Sequence, residues 1–118
     1  MEKITVKALS VKQPWADMIM NGQKKIEIRT WRTRYRGDVI ICSSQSPKTE
    51  RSGLALCIAE IYDVRPVTKE DSVNACCDVD IETEYAWCLK NIRRLKYFEP
   101  IKGKLSIYDI ELPKECLI

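Results

Sequence analysis

The sequence predicts one small, mainly β domain of the α+β class: a closed or nearly closed β-barrel with short helices at its ends. Its 118 residues are the length of a single typical domain. About six segments have the short, apolar or alternating character of strands, and only one clear helix lies among them. Strands and helices do not alternate as a doubly wound parallel sheet requires, so a compact barrel is favoured.

The first third of the chain contains a strand, a short helix and a second strand. Residues 5–11 are β-branched and partly alternating, which is typical of a strand. A short helix is predicted from Pro14, because proline suits a first helical turn and apolar residues then recur at i, i+3 and i+4. The helix ends at Gly22, which provides a left-handed stop. Residues 25–31 alternate between apolar and polar, which predicts a strand with one buried face.

The rest of the chain contains four more strand segments. They are predicted over 39–44, 53–64, 85–89 and 104–112. The first of them is apolar on both faces, which indicates a fully buried strand. Residues 69–83 are polar and weakly periodic, so a short helix or a loop is predicted there, and 91–99 are basic and irregular.

Composition excludes several classes of function. The chain contains no histidine, which removes Ser-His-Asp and Cys-His catalysis and every His-ligated metal site. Among six cysteines there is no Cys-x-x-Cys pair, and Cys42, Cys57 and Cys88 lie in apolar runs, as buried reduced thiols do. No apolar run approaches the ~20 residues of a membrane span, and no signal peptide is visible. We therefore expect a cytoplasmic protein with no metal, no cofactor and no membrane partner.

Positive charge is concentrated in one stretch. The net charge is only +3, yet residues 24–36 hold six basic residues, one acid and two aromatics. Such a segment suits a phosphate-bearing partner, with aromatic rings available for base stacking. An ordinary solvated strand and turn is the alternative, and the charge alone does not decide between them.

The densest group of chemically active side chains in this stretch is Lys24, Glu27 and Arg29. Glu27 and Arg29 are two residues apart on a predicted strand, hence roughly 6–7 Å apart on one face. Arginine offers a planar fork for phosphate or carboxylate, and glutamate accepts protons or the N–H groups of a base. A salt bridge on a solvated face is the structural alternative.

Several motifs in the chain match a known family. Leu-Ser-Val-Lys-Gln-Pro-Trp-Ala at 9–16 precedes Gly22-x-Lys24-x-x-Glu27-x-Arg29-x-Trp31 and Tyr-Arg-Gly at 35–37. Tyr-x-Trp-x-Leu at 85–89 and Pro-x-Lys-Gly-x-Leu at 100–105 follow. With these motifs the sequence resembles the ASCH (activating signal cointegrator homology) domain, a member of the PUA-like superfamily of small β-barrels. Only 45–52 and 66–83 lack a recognisable match.

The resemblance implies one domain over residues 1–118: a PUA-like barrel of five to six strands, with one or two short helices packed beside a cleft. It further implies that the partner is RNA or a modified nucleotide. Lys24 and Glu27 would read a base, and the arginines would contact phosphates. The expected nucleic-acid-binding residues are Lys24, Glu27, Arg29, Trp31, Arg32, Arg34 and Arg36.

A hydrolase is the alternative that the resemblance leaves open, with Lys24, Glu27 and Arg29 as the catalytic residues. One branch of the family hydrolyses the amide of N4-acetylcytidine with a lysine, a threonine three residues later and a separate glutamate. Here Glu27 occupies the threonine's position, so the expected nucleophile is absent. A ribonuclease with Glu27 as base and the two cations stabilising phosphate is chemically reasonable. We favour a non-enzymatic binding module. The sequence makes no prediction about the oligomeric state.

Overall fold

The computed structural model describes residues 2–117, which form a six-stranded mixed sheet with three short helices. The strands are β1 (Lys3–Val11), β2 (Ile26–Arg29), β3 (Gly37–Ser43), β4 (Leu54–Pro66), β5 (Tyr85–Pro100) and β6 (Ile107–Pro113). The α-helices are α1 (Trp15–Met20) and α2 (Asp71–Ala75), and a 3-10 helix covers Lys114–Leu117. The predicted mainly β, α+β class is confirmed.

The sheet is open, with the strand order β2-β5-β4-β3-β1-β6. Strand β1 pairs parallel with β3, and the other neighbours are antiparallel. Its edge strands β2 and β6 do not pair with each other within residues 2–117, so the sheet does not close into the expected barrel. Closure of a barrel requires a complete ladder of backbone hydrogen bonds. Strand β2 contacts β1 through a side chain, because Arg29 donates to the carbonyl of Ser10.

The longest strand contradicts one expectation. Residues 91–99, predicted to be irregular, continue β5 from Tyr85 to Pro100. The pairing of β5 with β4 shifts register at three places, and Asn91 adopts a left-handed φ of 57°. At each shift one strand has residues without a counterpart on the other, which changes the face that the following side chains occupy. The period of two therefore disappears from the sequence although the strand continues.

Two strands are shorter than predicted because the chain leaves the sheet near the cleft. Strand β2 covers only 26–29 of the predicted 25–31, and β6 begins at Ile107 instead of residue 104. Residues 30–36 and 101–106 have no regular structure, and Ser106 has a φ of 56°. For residues 69–83 the sequence predicted either a short helix or a loop, and the structure contains the short helix α2 there.

Apolar side chains fill both faces of the sheet. One cluster, centred on Leu9, Ile41 and Trp87, lies under α1. A second cluster lies under the 3-10 helix and includes Cys42. Cys42 and Cys57 are fully buried, and this burial raises the pKa of each thiol to about 12. The six cysteines are free, and the predicted burial of Cys42, Cys57 and Cys88 is confirmed.

Helix α2 is anchored by a nearly buried carboxylate. Both oxygens of Asp71 accept hydrogen bonds from the Arg65 guanidinium, at 2.7 and 2.9 Å. Asp71 also accepts the backbone N–H of Thr68 at 2.7 Å, which ties the start of α2 to the segment before it. The anchored helix ends at Ala75, whose carbonyl faces the side chain of Lys24.

Because Asp71 holds α2, we predict that Asp71→Asn destabilises the domain by about 1–2 kcal/mol at neutral pH, as expected for a charged hydrogen-bonded pair with one partly exposed member. Hydrogen bonds from Arg65 lower the pKa of Asp71 to about 2. A carboxyl with a lowered pKa contributes its stability above its unfolded pKa of about 4 and loses it as the pH falls towards 2. Urea unfolding should therefore show the difference between wild type and variant shrinking over that interval. A difference that stays constant with pH would contradict the assignment.

Candidate functional site

A cleft of about 1160 Å³ opens at the end of the sheet where β1 and β3 finish. Trp15 of α1, which also packs on the core, forms part of its wall. The other lining side chains come from five segments: 10–12, 24–29, 43–45, 77–84 and 100–106. The cleft is larger than the roughly 300–1,000 Å³ of a typical small-molecule site, so it has room for more than a base.

Lys24 and Glu27 line the buried part of this cleft. The side chain of Lys24 is only 2% exposed, and its Nζ donates to the carbonyl of Ala75. The same Nζ lies 3.7 Å from Oε1 of Glu27. A buried ammonium is strongly unfavourable unless it is paired and hydrogen-bonded, and these two oxygens provide that environment. The end of α2 and the start of β2 are therefore held together at this ammonium.

Arg29 occupies the other side of Glu27. Its Nε and Nη2 lie 3.0 and 2.8 Å from Oε2 of Glu27, and Nη2 also donates to the carbonyl of Ser10 at 2.8 Å. Oε2 is therefore used by Arg29, whereas Oε1 has only the long contact with Lys24. One carboxylate oxygen keeps lone pairs for a further donor in the cleft.

Two tryptophans set the position of the Arg29 guanidinium. Its Cζ lies 5.5 Å from the ring centroid of Trp31 and 5.8 Å from that of Trp87, within cation–π range. The rings meet edge to face at 6.3 Å, and Trp87 Nε1 donates to the carbonyl of Trp31 at 3.0 Å. Trp31 is 41% exposed and does not line the cleft, so its contact with the site runs through Arg29.

The predicted site residues thus separate into two groups. Lys24, Glu27 and Arg29 meet in the cleft, whereas the arginines at 32, 34 and 36 lie on the exposed segment 30–36. Arg32 lies 5.4 Å over the ring of Tyr85. Arg36 donates to two carbonyls of its own turn, and Arg34 is exposed.

Ser43 was not among the sequence-predicted residues. Its side chain lines the cleft and is 1% exposed, and Oγ has no hydrogen-bond partner within the described part of the chain. Buried hydroxyls normally have partners, so this one is free for a group that enters the cleft. A serine that ends an apolar strand was the available signal, but a buried strand end carries no periodicity that separates it from the core.

The side of the cleft that lies away from Ser43 is acidic. Asp78 and Glu84 line it together with Cys77. Burial raises the pKa of the Cys77 thiol, with Lys24 acting in the opposite direction and the charges of Glu27 and Glu84 adding to the increase. Lys24 donates to the carbonyl of Ala75, and Arg29 pairs with Tyr85, so the neighbouring Cys77 and Glu84 lie at the Lys24–Glu27 end of the cleft.

None of the helices within residues 2–117 is long and apolar enough to cross a membrane. Over the same range, no three cysteine or carboxylate side chains are grouped so that they could hold a metal ion.

Fold and site together define a small α+β domain whose open sheet ends in a cleft around a Lys-Glu-Arg group, of which the lysine and the glutamate are buried. The chain belongs to the ASCH domain family, whose model matches residues 9–107. The match begins within β1 and extends to the first residue of β6, so it includes the cleft. No curated protein compared with the chain matches it significantly.

The unpartnered hydroxyl leads to a stability prediction. We predict that Ser43→Ala leaves the free energy of unfolding unchanged or raises it by up to about 1 kcal/mol, because a buried hydroxyl without a partner carries a desolvation cost. Ser10→Ala is the matched control. The Ser10 hydroxyl bonds the Tyr108 hydroxyl at 2.6 Å, so its removal should cost about 1 kcal/mol. Urea unfolding measures both, and equal destabilisation would show that Ser43 has a partner after all.

Proposed function

We propose that this protein binds RNA by holding one nucleotide of a single strand in the cleft. The observation that carries the proposal is the arrangement around Glu27: Oε2 is held by Arg29, whereas Oε1 has only the 3.7 Å ion-pair contact with Lys24 and keeps a lone pair for a donor inside a largely buried site. A fixed acceptor in a poorly hydrated cleft discriminates strongly between ligands that present an N–H there and ligands that do not.

A nucleobase supplies the matching chemistry. Cytosine and adenine present exocyclic amino groups on their pairing edges, and unpaired bases of single-stranded RNA are commonly read there. Lys24 beside Oε1 of Glu27 adds a cationic donor for a neighbouring base carbonyl. Trp15 and Ile28 supply apolar surface within the same cleft. The site therefore has the composition expected for recognition of a base.

The exposed segment 30–36 supports the rest of the strand. It leaves the site directly, since Trp31 stacks on Arg29, and it carries Arg32 and Arg34 into solvent. Exposed arginines next to a base-binding cleft suit the phosphates of flanking nucleotides. The family as a whole is generally linked to RNA binding, which agrees with a cleft that binds the base and an exposed segment that contacts phosphates.

Hydrolysis receives no comparable support. The side chains that line the cleft include serines but no threonine among the described residues, and Glu27 stands three positions after Lys24. We therefore propose binding without turnover by Lys24, Glu27 and Arg29. The proposed location is the cytoplasm, because six free cysteines suit a reducing compartment.

The central test is Glu27→Gln, measured by fluorescence anisotropy with a labelled single-stranded RNA of random sequence. We predict that Kd rises about tenfold or more, since a hydrogen bond to a charged group contributes about 1.5–3 kcal/mol. The substitution also adds one unit of positive charge, which by itself would tighten RNA binding. A loss of affinity therefore cannot come from the change in net charge.

Two controls accompany this measurement. Glu111→Gln makes the same charge change at an exposed position of β6 outside the cleft, and it should bind RNA at least as well as the wild type. The RNA is recovered and sized after incubation. Unchanged binding by Glu27→Gln would refute base recognition, and cleavage that disappears in this variant would establish the hydrolase alternative.

A second prediction concerns Arg32 and Arg34. Each phosphate contact to a single strand contributes about 0.7 to the slope of log K against log salt, so Arg32→Gln with Arg34→Gln should flatten that slope by about 1.4. The control pair Lys69→Gln with Lys96→Gln removes the same charge from exposed positions outside the cleft and segment 30–36. If the two double variants show equal slopes, segment 30–36 makes no phosphate contacts.

A further inference from the structure

The end of the cleft opposite Glu84 has a different chemical character. Three segments converge there, 10–12, 43–45 and 100–106, and none of them contains an acidic residue. They supply three exposed lysines, at 12, 102 and 104, and the unpartnered hydroxyl of Ser43. This end of the cleft is therefore rich in hydrogen-bond donors, whereas the other end holds Glu27, Asp78 and Glu84.

Backbone hydrogen bonds bring these segments together. Ser43 pairs with Val11, and Ser44 donates its N–H to the carbonyl of Val11 at 3.0 Å, which places Lys12 beside the end of β3. Gly53 donates its N–H to the carbonyl of Ser43 at 2.8 Å. The carbonyl of Gly53 then accepts the N–H of Ile101 at 2.9 Å. Lys102, the next residue, is thus connected to Ser43 through two successive bonds.

Two glycines make this close approach possible. Gly53 has a φ of +73°, a conformation that L side chains rarely adopt, and an added Cβ would lie 2.3 Å from Nε2 of Gln45. At Gly103 an added Cβ would lie 3.0 Å from Oγ of Ser10. Loop 101–106 therefore rests on β1 with a lysine on each side of the contact.

Arg29 separates this donor-rich end from Lys24 and Glu27, the residues proposed to bind the base. It contacts Glu27 on one side and the carbonyl of Ser10 on the other, and Ser10 is the residue against which Gly103 packs. The sequence of contacts along the cleft is then Glu27, Arg29, Ser10 and Gly103. A ligand held at Glu27 reaches the lysines only if it extends past Arg29.

We propose that this end of the cleft is a phosphate subsite, in which Lys12, Lys102, Lys104 and the Ser43 hydroxyl bind the phosphate group of the nucleotide. Ammonium groups and a buried hydroxyl donor, with no carboxylate among them, match the acceptor oxygens of a phosphate. The inference deepens the proposed function and depends on it for the nucleoside that carries the phosphate. It also gives the ligand a direction, with its base towards β2 and its phosphate towards loop 101–106.

The test is a titration of the ¹⁵N-labelled protein with inorganic phosphate at low salt, with chloride as the ionic control. We expect saturable shifts of the amide signals of Ser43, Ser44, Gly53 and Gly103. The apparent Kd should rise about tenfold in Lys102→Gln with Lys104→Gln, and it should also rise in Ser43→Ala, because both remove donors to the phosphate. Lys69→Gln with Lys96→Gln, outside the cleft, should leave it unchanged.

The outcomes separate this inference from the proposed function. Shifts that do not saturate, or an equal Kd in the cleft and control double variants, would overturn the phosphate subsite. Glu27→Gln should still bind inorganic phosphate, so loss of RNA binding in that variant with phosphate binding retained supports both assignments. If RNA binding depends on Glu27 but inorganic phosphate causes no saturable amide shifts, the proposed function is retained and the phosphate subsite is refuted.

Two further titrations identify the source of the phosphate. Ribonucleoside 5′-monophosphates carry a terminal monoester, and dinucleoside monophosphates carry an internal diester. Stronger shifts at Ser43 and Gly103 with the monoesters assign the subsite to free nucleotides or 5′ ends, and stronger shifts with the dinucleotides assign it to the RNA backbone. If neither compound shifts these amides more than the unphosphorylated nucleosides do, the subsite is refuted.

Discussion

The guanidinium of Arg29 is the interaction on which the rest of the site depends. It joins the edge strand β2 to β1, where no backbone ladder connects them, and it holds one oxygen of Glu27. Its Cζ lies within cation–π range of the rings of Trp31 and Trp87. Lysine would not replace it, because an ammonium lacks the planar fork with which Nε and Nη2 both bond Oε2 of Glu27 while Nη2 also bonds the Ser10 carbonyl.

This bridge explains why an open sheet is useful here. A closed barrel would join the edge strands β2 and β6 by ladder hydrogen bonds. Here β2 is held to β1 by one long side chain, and the cleft lies beside this contact. The buried charges are held in the same way: Lys24 is paired with Glu27 and with a carbonyl of α2, and α2 is anchored by the Asp71–Arg65 pair. Support of this kind around the contacting residues is what precise recognition requires.

The parts of the site that follow local rules could be predicted from the sequence, and the parts that need distant contacts could not. Lys24, Glu27 and Arg29 stand within six residues on one turn and strand, so local spacing places them together. The contact of Arg29 with Ser10, and that of Lys24 with Ala75 at a separation of 51 residues, depend on the tertiary fold. In β5, irregularities in the pairing with β4 interrupt the alternation of apolar and polar residues, so the second half of the strand could not be predicted.

Ser43 is a candidate binding residue that no sequence motif marks. Protein interiors rarely leave a hydroxyl unsatisfied, because the desolvation cost is not recovered. At Ser43 an alanine would fit the same backbone and avoid that cost, so the fold gives no reason for the hydroxyl. A ligand does give a reason, since a donor that is already desolvated and already oriented loses little when it binds. The donor-rich end of the cleft is therefore better explained by what it binds than by what it stabilises.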